Sequence, residues 1–257
     1  MIRHVTRLNG VTLIRPLAAL LSGFALTAAF LVSSSVAAAG YTGNAESANA
    51  RFVVDGYQEL LGRDADTEGL DFHLARLAAG GDTSRYAFAY SMLFSVEGSS
   101  QEVERAYAGL LSRTADSAGE TYWTSHLQGH GVLDLRVLLM SSDEYWNGSG
   151  TSEAEWLEAL YQDTLGRASD ETGRLYWLAE IEADVPRPLI AAGLYLSDEA
   201  LGHRVDTYYD ETLSRQPTVD ERIAAINTIR DRGERELRAE LWASDEHFEQ
   251  YLTAALS

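Results

Sequence analysis

The 257-residue sequence contains no cysteine and no lysine. Without cysteine there is neither a disulfide staple nor a thiol nucleophile, so the fold has to be held by its packed core. The 46% share of hydrophobic residues makes such a core available. Positive charge is scarce as well: 20 arginines face 39 acidic residues, a formal net charge of −19. That balance repels nucleic acid and anionic membrane surfaces, so neither is expected as a partner. A coding bias toward G and C accounts for arginine without lysine, and most of the acids read as a solvated face. Beyond residue 39 no apolar run is long enough to cross a bilayer.

The first 39 residues stand apart. Arg3, Arg7 and Arg15 precede an apolar run from Leu17 to Val32, followed by small residues ending Ala37-Ala38-Ala39. This order predicts a secretory signal peptide over residues 1–39, cleaved after Ala39, and hence a secreted or cell-surface protein. An uncleaved N-terminal anchor is the alternative, because tilt and flanking residues can stretch a short span.

One phrase then recurs. It reads Tyr57-Gln-Glu-Leu-Leu-Gly-Arg63-Asp-Ala-Asp66, then Tyr107-Ala-Gly-Leu-Leu-Ser-Arg113-Thr-Ala-Asp116, then Tyr161-Gln-Asp-Thr-Leu-Gly-Arg167-Ala-Ser-Asp170. A worn fourth copy opens at Tyr209 and ends at Arg215. A period of roughly 50 residues predicts an all-α fold of tandem helical repeats over residues 40–257. The units fall at about 52–100, 101–150, 151–202 and 203–257, with roughly three helices in each.

Within a unit the parts have local reasons. Val53, Val54, Tyr57, Leu60 and Leu61 form one stripe of helix one. Gly62 and Gly166 stand where a left-handed residue ends that helix, with Ser112 and Ser214 in the other copies. Asp66, Asp116 and Asp170 read as N-caps of helix two, and Thr218 with Glu221 as a capping box in the fourth copy. Phe72-His73, Tyr122-Trp123 and Tyr176-Trp177 are expected to fill the seam between helices, an exposed sugar platform being the sharper alternative. Helix three covers Tyr86 to Phe94 and its counterparts Leu133 to Met140, Leu189 to Leu196 and Leu237 to Trp242. Each ends in a serine followed by acids, at Ser95, Ser142, Ser197 and Ser244, which opens the next unit's first helix. Arg63, Arg113, Arg167 and Arg215 are expected to fasten the turn after helix one to a carboxylate and loop carbonyls.

The string Tyr-x-x-Leu-Leu-Gly-Arg-x-x-Asp-x-x-Gly-x-x-Tyr-Trp resembles the domain of unknown function 4214 (DUF4214) family over roughly Phe52 to Leu252. The resemblance implies a helical module of exported bacterial proteins, similar in fold to phycobilisome linker domains and without an established activity. His73 stands where that pattern has tryptophan, and the last unit lacks the glycine and the aromatic pair.

Chemistry is sparse. Asp64-Ala-Asp66-Thr-Glu68-Gly69 begins like a calcium loop, but Ala75 stands at the twelfth position where a glutamate is needed. His126 and His130 lack a third ligand, with Gly129 and Gly131 ending the helix around them. Pairs such as Glu153 with Glu155 and Asp143 with Glu144 abound in so acidic a chain, and Asn147-Gly-Ser149 reads as a loop as well as a glycosylation sequon. No nucleophile elbow or phosphate-cradling glycine loop is present. The expectation is a non-enzymatic interaction or structural module with no catalytic, cofactor-binding or metal-ligating residue, binding a protein or cell-surface partner. A secreted hydrolase with paired carboxylates and a calcium-stabilised adhesion module are the alternatives.

Overall fold

The structure is a computed structural model that describes residues 44–129, 133–150 and 152–254. The signal-like segment and His130 lie outside the described residues. The described chain is all-α: α1 Asn44–Leu61, α2 Thr67–Leu93, α3 Val96–Leu111, α4 Ser117–Gly129, α5 Leu133–Met140, α6 Asp143–Ser149, α7 Glu153–Leu165, α8 Glu171–Glu182, α9 Arg187–Tyr195, α10 Asp198–Leu213, α11 Val219–Arg232, α12 Glu234–Ala243 and α13 Asp245–Ala254.

The helix ends follow local chemistry. Asp66, Asp116 and Asp170 accept the amides of Gly69, Gly119 and Gly173 at 2.8, 2.9 and 2.9 Å, and Thr218 with Glu221 closes a full capping box. A side chain at any of those glycines would overlap the hydroxyl of Tyr57, Tyr107 or Tyr161, so the tyrosine and the glycine of each phrase are one packing unit. Gly62 and Gly166 take φ of 71° and 65°, and Ser112 and Ser214 accept 53° and 54° in the same place. Ser95, Ser142 and Ser244 each work twice. The hydroxyl donates to a carbonyl of the helix just ended, at 2.8, 2.7 and 2.8 Å, and accepts the amide three residues ahead.

Some boundaries differ from those expected. In the first copy helices two and three are a single helix, α2, because no proline interrupts Leu77 to Arg85, whereas Asp184 at φ 58°, Pro186 and Pro188 separate α8 from α9. In the third copy the first helix is split into α6 and α7 at Gly150, whose φ of 139° forbids continuation. There is no break at 100/101 or 202/203, positions that lie inside α3 and α10.

The first and last helices of the described residues meet. α12 lies along α2 and α13 packs on α1, while α1 touches α3, α3 touches α5 and α6, α5 touches α9, and α7 touches α10. This closes the body on itself, unlike an open stack in which each unit meets only its neighbours. The core records the closure: Ala239, Trp242 and Tyr251 belong to the same buried cluster as Phe52, Tyr57, Leu60 and Phe88. Phe52 is fully buried, with its ring 5.4 to 5.6 Å from those of Phe88, Trp242, Phe248 and Tyr251. Phe52→Ala is therefore expected to lower the unfolding free energy by about 3–5 kcal/mol, whereas Phe72→Ala, at an exposed ring, changes it by less than about 0.5 kcal/mol. Denaturant titration of both variants checks the pair.

Candidate functional site

Two polar constructions stand out, one at the periphery and one at the centre. At the periphery, the four arginines after the first helices make the same set of contacts. Arg113 grips Glu144 with two N–H groups at 2.5 and 2.7 Å, Arg167 grips Glu199 at 2.6 and 2.9 Å, and Arg215 grips Glu246 at 2.5 and 2.7 Å. Arg63 holds Glu97 in the same forked manner. Each guanidinium also donates to the carbonyl of the next residue, at 2.8 to 3.1 Å, and lies over the tyrosine that opens its phrase, at 4.8 to 5.4 Å from the ring centre. The glutamate is the acid of the serine-led turn, so each fork joins a helix end to the start of the next first helix. In the fourth copy Glu221 adds a second carboxylate to Arg215 at 2.7 Å.

At the centre, charged side chains are buried where α3, α5, α10 and α12 meet. Glu102 accepts from Arg136 Nη2 at 2.8 Å and faces Arg238 at 3.5 Å, while Glu234 stands 2.7 Å from Arg204 Nε and accepts from the Tyr208 hydroxyl at 2.8 Å. Arg235 donates to the carbonyls of Leu93 and Leu127, at 3.3 and 2.8 Å, tying α12 to the ends of α2 and α4. Burial alone would push the Glu102 carboxyl up, but Arg136, Arg238 and Arg105 more than offset it and hold it below its usual value. Burial raises the Tyr208 hydroxyl far above its usual value, with Glu234 adding to the effect. An acid held ionised between guanidinium groups is a poor proton donor, so Glu102 does not suit the acid role of a glycoside-cleaving pair.

The acids singled out in the sequence have local partners: Asp64 accepts from Gln58 at 3.0 Å, Asp66 caps α2, Glu144 is held by Arg113, Asp143 pairs with Arg187 at 2.8 Å, and Ser152 caps α7 while donating to Glu155 at 2.8 Å. No grouping of three or more metal-ligating side chains occurs among the described residues. The buried hub leaves a signal in the sequence. Five residues before each phrase tyrosine stand Phe52, Glu102, Trp156 and Arg204. Six before each joint serine stand Ala89, Arg136, Ala191 and Arg238. Core positions that are apolar in the first and third copies are thus charged in the second and fourth.

The aromatic pairs divide in two. His73 and Trp123 are buried, but their neighbours Phe72 and Tyr122 are 56% and 61% exposed, and Tyr176 is 36% exposed beside the half-buried Trp177. In all three the exposed ring stands nearly at right angles to its anchor, with centroids 5.0 Å apart. Only one ring of each pair fills the seam.

The sequence pattern of DUF4214, a domain of unknown function, matches residues 28–102 and 137–204, more than half of the chain. The chain belongs to the DUF4214 family. No curated protein and no solved structure matches it. The second region of DUF4214 similarity spans α6 to α9, and the first takes in α1 and α2 with their Arg63 fork.

The hub makes a testable claim on energetics. Arg136→Met leaves Glu102 with its nearest cation gone and is expected to cost about 3–5 kcal/mol, whereas Arg136→Met combined with Glu102→Leu recovers most of that loss; chemical denaturation of the two variants measures it. The pH dependence has two opposed components. Glu221, lowered from 4.5 to about 2 first by Arg215, contributes stability above its unfolded value that disappears as pH falls toward 2. Glu59 is an exposed residue, yet desolvation by the groups around its carboxyl first, then Asp55 and Glu211, pushes it up to about 7. Its contribution is complete below pH 4.5 and disappears as pH rises through 7. In melting curves across pH, Glu59→Gln should therefore be more stable than the parent at pH 8 and equal to it at pH 4, and Glu221→Gln less stable at pH 7 with the gap closing toward pH 2.

Proposed function

We propose that this DUF4214 chain is an exported, non-enzymatic interaction module assembled from four tandem helical units, which binds a protein or cell-surface partner through the outer faces of its second helices. One observation carries the reading: Phe72, Tyr122 and Tyr176 stay exposed at one register, each braced at right angles by an anchoring ring. Packing the core needs only the anchor, and an exposed aromatic side chain costs solvation that a binding surface recovers. The forks of Arg63, Arg113, Arg167 and Arg215 support the tandem reading, since each makes the same contacts 31 to 34 residues apart in sequence. Export rests on the residues before Gly40, with their basic start, apolar run and small-residue end.

One experiment addresses both parts. The full chain and its Phe72→Ala/Tyr122→Ala/Tyr176→Ala variant are expressed in the source cells, and chain ends and location are measured. Both are expected outside the cell membrane, beginning at Gly40, with the parent retained on the cell surface and the equally helical variant released to the medium. Material kept inside the cell at full length overturns export. Equal retention of parent and variant overturns the role of the exposed rings.

A further inference from the structure

Each exposed ring has a polar companion, and the companions differ in charge. One helical turn beyond Phe72, Tyr122 and Tyr176 stand Arg76, His126 and Glu180, on the same helix face as the ring. The Arg76 guanidinium lies 5.4 Å from the centre of the Phe72 ring. The His126 ring runs within 17° of parallel to Tyr122, with centres 6.1 Å apart, and both rings stand nearly perpendicular to Trp123. Burial first and then Glu180 raise the Tyr176 hydroxyl above its usual value, which puts that carboxylate beside the third ring. Among the described residues the side chains of Arg76 and Glu180 hold neither a hydrogen bond nor an ion pair. Arg63, Arg113, Arg167 and Arg215, by contrast, are all tied to carboxylates.

Each place thus joins an apolar ring, offered to solvent, to a group that hydrogen-bonds outward. Whatever meets all three has to suit a guanidinium that only donates, an imidazole, and a carboxylate that only accepts. A cationic ligand is repelled at Arg76 and an anionic one at Glu180, and the net charge of −19 opposes anions everywhere else. An uncharged hydroxyl accepts from the first and donates to the third. A sugar ring supplies both requirements, an apolar C–H face to lie on the aromatic ring and a rim of hydroxyls. The rings are also carried separately, since α2, α4 and α8 pack on different first helices, α1, α3 and α7. A protein interface buries one continuous apolar patch, whereas a polymer of repeating sugars engages spaced rings one at a time and adds weak contacts into firm retention. We infer that Phe72 with Arg76, Tyr122 with His126 and Tyr176 with Glu180 are three subsites for a neutral polysaccharide. This rests on the reading of the exposed rings as the binding surface and names the class of molecule they bind.

The test is cosedimentation of the chain, purified from its source cells, with envelopes of those cells left untreated, digested with protease, or oxidised with periodate, which cleaves the vicinal diols of sugars. The parent is expected to sediment equally with untreated and protease-digested envelopes and to stay in solution with oxidised ones. Its binding should not change between about 0.05 and 0.5 M sodium chloride, as befits an uncharged ligand. Arg76→Ala combined with Glu180→Ala removes two hydrogen bonds at exposed positions, so the variant should keep its helical spectrum and bind roughly tenfold more weakly. Retention that survives periodate or is lost on protease digestion overturns the polysaccharide and leaves the rings as the binding surface. Undiminished binding of the Arg76→Ala/Glu180→Ala variant overturns the subsites. Parent and Phe72→Ala/Tyr122→Ala/Tyr176→Ala variant bound equally, or neither bound to any envelope, overturns the binding surface itself.

Discussion

Charges removed from water at the centre of the molecule constrain everything around them. Glu102 enters from α3, Arg136 from α5, Arg204 from α10, and Glu234, Arg235 and Arg238 from α12. Ion pairs in such a place add little net stability, because desolvation consumes most of their attraction. What they do is discriminate. Sliding α12 along α2 by one turn would leave Arg235 without the carbonyls of Leu93 and Leu127 and would take Arg238 from the second oxygen of Glu102, so buried polar groups would lose partners. Apolar contacts between the same helices tolerate such a slide far better. The hub thus fixes how the last part of the chain docks on the first.

Outside the hub, stability is assembled from short-range pieces that repeat. Each fork binds residues 31 to 34 apart, and each cap spans three. An exposed ion pair contributes little alone, but a guanidinium that is forked, stacked on a tyrosine and bonded to a carbonyl loses less freedom on pairing than a flexible surface pair. The fourth copy shows which parts are interchangeable. It lacks the capping aspartate and the glycine; Thr218 takes over the cap, closed into a box by Glu221, and Glu221 also takes a share of the arginine.

This division decides what could be read from the sequence. Caps, left-handed helix ends and the arginine forks were legible because they are set by a few adjacent residues and by a carboxylate at a fixed place in the repeat. The joining of helices two and three in α2 was not, since Gly80 and Gly81 look like a stop yet nothing there prevents helical backbone, and α12 packs against the later part of α2. Closure of the body was hidden for another reason: Phe52 and Tyr251 lie at opposite ends of the described chain, and periodicity reports the unit without its handedness or curvature. The hub was visible only by comparing copies at one register. Glu102 on an amphipathic helix looks like an ordinary surface acid until it is set against Phe52 and Trp156.

The same comparison separates residues that repeat for folding from those that repeat for something else. Tyr57, Gly69, Arg63 and Asp66 touch one another, so the fold explains why they recur together. Phe72, Tyr122 and Tyr176 also recur, but their outer faces meet solvent, and the turn would close as well with a polar residue there. Ala224 occupies that register in the fourth copy without disturbing α11, which shows that the unit does not need the ring. A feature that folding permits and does not require, kept in three copies at one register, is what supports the proposed binding surface.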